Sequence, residues 1–154
     1  MKATGLRLSP SNKSAASAIL LERESRMKKL TLEIHPGELA VWKTSPGGPM
    51  PSCPRGLSGF WSFTRTEKEM SIVSDPELVP EGVEAKTGWK RLSVAGALDF
   101  SMTGVLVSIA GPLSGAGISI FTVSTFDTDH ILIGKDDFSR ALEVLKENGH
   151  TIQR

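Results

Sequence analysis

The sequence predicts an α+β fold, and two patterns between Trp89 and Ile152 carry that prediction. Stretches with strand periodicity alternate with helical stretches, and glycines or short polar residues mark each change. Trp89-Lys90-Arg91-Leu92-Ser93-Val94-Ala95-Gly96 alternates apolar and polar residues, the period of a half-buried strand. A helical run follows from Thr103 to Ser114, then a β-branched strand from Ile118 to Thr125. Phe126-Asp127-Thr128-Asp129 turns the chain into a third strand, His130 to Ile133. Lys135-Asp136-Asp137 leads into an amphipathic helix with Phe138, Leu142 and Leu145 on its apolar face. Gly149 ends it, and Thr151-Ile152 starts a last edge strand. The order is βαββαβ, a ferredoxin-like half-sheet with both helices on one face.

Local chemistry supports the boundaries. Ser101 or Thr103 is the expected N-cap of the first helix, since a short hydroxyl accepts from orphan N–H groups. Gly115-Ala116-Gly117 is a stop. Pro112 conflicts with the helix around it, because it removes a donor and crowds the preceding turn. A bend, or an early end near Ala110-Gly111, is the expectation.

Upstream, Leu30 to Ile34 alternates as a strand, His35-Pro36-Gly37 turns, and Leu39 to Trp42 runs back. Thr44 to Gly59 is rich in Pro and Gly and reads as a long loop. Phe60–Arg65 and Met70–Ser74 form a hairpin around Thr66-Glu67-Lys68-Glu69, where Arg65 and Glu69 could pair. Pro76 to Glu84 is a connector with room for one helical turn. Residues 1–27 differ in composition: Lys2, Arg7 and Lys13 precede Leu21 without any acidic residue. They read as a disordered N-terminal extension, with a transit segment or an upstream start as alternatives.

Composition excludes several classes. Across 154 residues the net charge is +1, with no basic stripe flanked by aromatics, so no nucleic-acid partner is expected. No apolar run has the length of a membrane span, and no membrane association is expected. The lone Cys53 and the dispersed His35, His130 and His150 offer no metal-ligand spacing, so neither metal nor other cofactor is expected. A reducing, cytoplasmic compartment follows as the default. Neither a Gly-x-Ser-x-Gly elbow nor a phosphate loop ending in Gly-Lys-Ser/Thr is present, and no catalytic residue is assigned. Trp61 and Trp89 read as core residues.

Two features suit an α-amino acid. The turn Ser101–Gly104 would present free N–H groups and a partial positive charge to a carboxylate, and Gly104 has no Cβ to block approach. Asp129 would hold an ammonium group. Each has a plainer reading: Ser101 as a cap, Gly104 as a packing residue, Asp129 as a turn former. Asp127 lies two residues from Asp129 and could share its side, but reads as a turn residue. His130 is expected to point away from Asp129.

At these residues the sequence resembles a known family. Leu98-Asp99-Phe100-Ser101-Met102-Thr103-Gly104, Gly117-Ile118-Ser119-Ile120-Phe121 and Ser124-Thr125-Phe126-Asp127-Thr128-Asp129 look like proteins with two tandem ACT modules. This amino-acid-sensing branch includes the cytosolic arginine sensors. The likeness extends upstream through Phe60-Trp61-Ser62-Phe63-Thr64-Arg65-Thr66 and Glu69 to Val73. It implies two tandem ferredoxin-like βαββαβ modules, the first irregular, at 28–87 and 88–154. It also implies an amino acid bound between modules by Met102, Thr103, Gly104, Val105, Leu106, Thr125, Phe126 and Asp129. Met102 stands where the arginine sensors carry an acidic residue, so a neutral or apolar amino acid is as much expected as a cationic one.

The function expected is non-catalytic: a regulatory domain that senses an amino acid and signals to a protein partner or within a homo-oligomer. The alternative is a ligand-free structural module that pairs through sheet edges.

Overall fold

A computed structural model describes residues 28–48 and 59–154. Seven strands form a single sheet: β1 (Thr31–Thr44), β2 (Ser62–Arg65), β3 (Met70–Ser74), β4 (Ala85–Val94), β5 (Ile120–Ser124), β6 (Asp129–Gly134) and β7 (Thr151–Gln153). Helix α1 (Val105–Gly115) joins β4 to β5, and α2 (Lys135–Glu147) joins β6 to β7. The path across the sheet is β2-β3-β1-β4-β6-β5, and β7 pairs in parallel with β1. Every other pairing is antiparallel.

The βαββαβ order expected downstream of residue 84 is present, with one difference. The first half of β1 lies between β4 and β7: Leu32 pairs with Val94 on one side and Ile152 on the other. The second half lies between β4 and β3, with Trp42 opposite Ile72. The turn expected at His35-Pro36-Gly37 is instead an irregularity within one 14-residue strand, where the β1–β4 register shifts between His35 and Leu39. Pro36 has no ladder donor and Gly37 takes φ +83°, so the pairing slips without the chain reversing.

Upstream of β4, the described residues hold β1, β2, β3 and one 3₁₀ turn, Pro76–Leu78. No α-helix is among them. A second βαββαβ unit is not shown among the described residues, and the N-terminal strands extend the sheet of the C-terminal unit. The hairpin at Thr66 forms as expected. Arg65 and Glu69 make no ion pair there; Thr66 Oγ1 accepts from the N–H groups of Lys68 and Glu69 instead.

Both helices cover one face. Val105, Ile109 and Leu113 of α1 and Ala141 and Leu145 of α2 are buried against Leu32, Leu92, Val94, Ile131 and Ile133. Each such Leu or Ile contributes about 1.5–3 kcal/mol of burial. A second cluster, Ala40, Trp42, Met70 and Ile72, takes in the half-buried Trp61, and Trp42 Nε1 donates to Ser74 Oγ at 2.9 Å. A third joins Leu39, Val73 and Leu132 with the half-buried Trp89 and Phe121.

Helix α1 departs from expectation at its N-terminus, while its C-terminal end lies one residue beyond the expected Ser114. Its N-cap is Gly104 at φ +80°, with no side-chain cap from Ser101 or Thr103. It also continues through Pro112 to Gly115. Proline leaves the carbonyl of Ser108 without its helical donor, and the buried His150 Nε2 donates to that carbonyl at 3.0 Å. Among the described residues, no helix is long and apolar enough to cross a membrane.

Candidate ligand site

Three consecutive features build a cavity at the N-terminal end of α1. Gly96 turns the chain out of β4 at φ +80°, and residues 95–104 connect β4 to α1. The β5–β6 hairpin then folds against that segment. Leu98 donates its N–H to the carbonyl of Asp127 at 2.7 Å, and Thr128 Oγ1 donates to the carbonyl of Val94 at 2.7 Å. Two hydrogen bonds thus fix the hairpin tip against the loop.

The resulting cavity measures about 230 Å³. Leu98, Asp99, Phe100, Met102 and Val105 wall one side, and Ser124 to Asp129 the other. Of the residues expected to bind ligand, Met102, Val105, Thr125, Phe126 and Asp129 line it together. Thr103, Gly104 and Leu106 do not line it, although they adjoin Met102 and Val105 in the chain. No residue of 28–87 lines it either, so this cavity lies within one unit rather than between two.

Charge in the cavity is one-sided. Asp99, Asp127 and Asp129 line it and no basic residue does. Asp99 accepts from the Ser101 N–H at 2.8 Å, and hydrogen bonding by the Ser101 side chain and backbone holds its carboxyl below the usual range. Asp129 Oδ1 accepts from Ser124 Oγ at 2.5 Å, which fixes the carboxylate across the strand pair. Its neighbour His130 turns to the other face and is buried, as strand alternation requires. At the rim, Phe100 and Phe126 meet edge-to-face with centroids 5.1 Å apart, although they are 80% and 79% exposed. An exposed aromatic pair in contact is an unusual use of apolar surface.

Spacing and periodicity do not single out Asp99 and Phe100 as ligand residues. Their signal was the motif Leu98 to Gly104, whose first half supplies three lining residues. Asp127, read as a turn residue, also lines the cavity. Among the described residues no three His, Cys, Asp or Glu side chains form a metal-binding group.

The ACT domain family model matches residues 84–147, from β4 to the end of α2. Over 95 residues the chain is 34% identical to the human cytosolic arginine sensor for mTORC1 subunit 1; the match takes in 56% of this chain and 29% of that protein. The chain therefore spans under a third of the length of the arginine sensors it matches. Among solved structures, protein Atu0741 from Agobacterium tumefaciens is 35% identical with a TM-score of 0.75, over 82% of this chain and 93% of that one. The regulatory subunit of aspartate kinase from Thermus thermophilus shares the fold at 12% identity and a TM-score of 0.53, over 76% of this chain and 96% of that one. The chain belongs to one family with the Agobacterium protein, and its segment 84–147 is the part that matches the ACT domain.

Proposed function

We propose that this protein is a non-catalytic regulatory module that binds a free amino acid at the cavity beside the N-terminal end of α1. What supports the reading is that five residues expected to bind ligand, Met102, Val105, Thr125, Phe126 and Asp129, line one cavity. The relationship to an arginine sensor gives the ligand class its direction. Asp129 holds the ammonium group, and Val105, the first-turn residue of α1 that lines the cavity, puts the positive end of the helix beside the carboxylate. Leu98, Met102, Val105 and Phe126 provide apolar surface for the side chain.

Signalling follows from differential affinity. The ligand favours the arrangement in which the 95–104 loop closes on the hairpin, and the exposed Phe100–Phe126 pair reports that closure to a protein partner or a second copy in the cytoplasm. On this reading residues 28–87 act as the companion unit of 88–154. A thermal-shift panel of the twenty amino acids tests the function. A true ligand at a hundred times its dissociation constant stabilises by about 2.7 kcal/mol. A flat panel favours the second reading, pairing through sheet edges, for which β2 and β5 at the two ends of the strand path are the edges.

A further inference from the structure

On the sheet face turned away from α1 and α2, the three central strands gather a second set of polar side chains. Arg91 and Ser93 project to the same side of β4. His35 pairs with Arg91 across the β1–β4 ladder, and His130 pairs with Ser93 across β4–β6. His35 Nε2 lies 2.7 Å from Ser93 Oγ, and Arg91 Nη1 lies 3.2 Å from His130 Nδ1. The two imidazole centroids are 6.4 Å apart. Phe60 supports the group from the side: its ring centroid is 4.7 Å from the Arg91 guanidinium carbon and 4.7 Å from the His130 centroid.

No carboxylate among the described residues forms an ion pair with Arg91. The carboxylates beside the two histidines in the chain are engaged elsewhere: Glu33 accepts from Gln153 Nε2 at 3.1 Å, and Asp129 is held by Ser124. Arg91 and His35 are half-buried, so the cluster reaches solvent through them. A partly desolvated guanidinium without a counter-charge is an unfavourable arrangement unless an anion completes it.

We propose that Arg91, His35, His130 and Ser93 form a binding site for a phosphate-type oxyanion, free or carried on a small metabolite. The planar guanidinium fork suits two oxygens of such a group, and the phenyl ring of Phe60 keeps that fork in place. Imidazoles and a hydroxyl on the remaining sides match a tetrahedral anion with further oxygens, where a planar carboxylate would leave them without partners. The titration behaviour agrees. Burial, then Arg91, then His35 push His130 down to about 4, against a small opposing pull from Asp129. Burial and then Arg91 also lower His35, against Glu33. An oxyanion among these groups opposes both effects, so binding takes up protons.

The test follows the histidine ring signals by NMR across pH 3–8, replacing chloride with inorganic phosphate, or with glycerol phosphate, at constant ionic strength. The His35 and His130 midpoints should rise by about 1–3 units in the parent. A rise with inorganic phosphate identifies the free anion; a rise with glycerol phosphate alone identifies a metabolite-borne group. Arg91→Gln should abolish the rise. Should that variant not fold, His35→Asn should still reduce the phosphate response of His130. No rise in the parent with either anion overturns the proposal, as does an undiminished rise in whichever variant folds.

Discussion

His150 Nε2 donates to the carbonyl of Ser108, the carbonyl that Pro112 leaves without a helical partner. The same ring accepts from the Leu30 N–H through Nδ1 at 3.3 Å. One neutral tautomer satisfies both contacts. A residue beyond α2 thereby keeps α1 helical through its proline and ties it to the approach to β1.

Replacing that ring should expose its role. His150→Leu roughly conserves volume but leaves the buried Ser108 carbonyl unpaired, at about 1–3 kcal/mol, and also strips the part-buried Leu30 N–H of its acceptor. Pro112→Ala restores a donor to Ser108, so the double variant should lose less stability than His150→Leu alone. Urea denaturation of the four-member cycle measures this. Strict additivity would remove the link between His150 and Pro112.

Asp129→Asn should weaken the ligand found in the thermal panel by about tenfold or more, because the charge facing an ammonium group is lost while the Ser124 contact can persist. Asp127→Asn should matter less. Calorimetry on the folded variants decides, and equal affinity in both variants and the parent would take Asp129 out of the site. Gly104 is a poorer probe. At φ +80° any Cβ is strained, so Gly104→Ala should cost about 1–2 kcal/mol of stability whether or not ligand binds there.

The rim aromatics separate binding from folding. Phe100 and Phe126 are largely exposed, so Phe100→Ser or Phe126→Ser should change stability by no more than about 0.5 kcal/mol. Each should nevertheless weaken the same ligand in calorimetry. A large drop in melting temperature with affinity unchanged would make the pair structural.

Stability should fall between pH 6.5 and about 4 because of His130. Its folded-state pKa is depressed to about 4, chiefly by burial, below the ordinary 6.5. The unfolded chain therefore binds the proton first as pH drops, which favours unfolding across that window. His35, also lowered, acts in the same direction. Urea midpoints at pH 7 and pH 5 in chloride buffer should differ in the parent and differ less in His130→Gln. A pH-independent midpoint would show that His130 stays as solvated as in the unfolded chain.

Much of the C-terminal unit was legible because its signals are local. The alternation from Trp89 to Val94, the β-branched run into Ser124 and the charged-apolar period of residues 135–147 each specify an element from neighbouring residues alone. Five of eight expected ligand residues share a cavity because the turn before α1 and the β5–β6 turn meet at the same end of the sheet. The start of α1 is not legible in the same way. A hydroxyl at Ser101 or Thr103 competes with a glycine that reaches φ +80° without strain, and sequence preference does not rank the two at one position.

By itself, the sequence determined the βαββαβ order, the apolar faces of its strands and helices, and the position of the turn that carries Asp129. Tertiary structure alone decided three further matters. The first half of β1 entered between β4 and β7, since an alternating strand fits any neighbour with a matching face and only the completed sheet selects one. Pro112 stayed inside α1 because His150, remote in the chain, supplied the missing donor. Arg91, His35 and His130 came together because strand register places them opposite one another, and pairing register depends on contacts too distant in sequence for local pattern to encode.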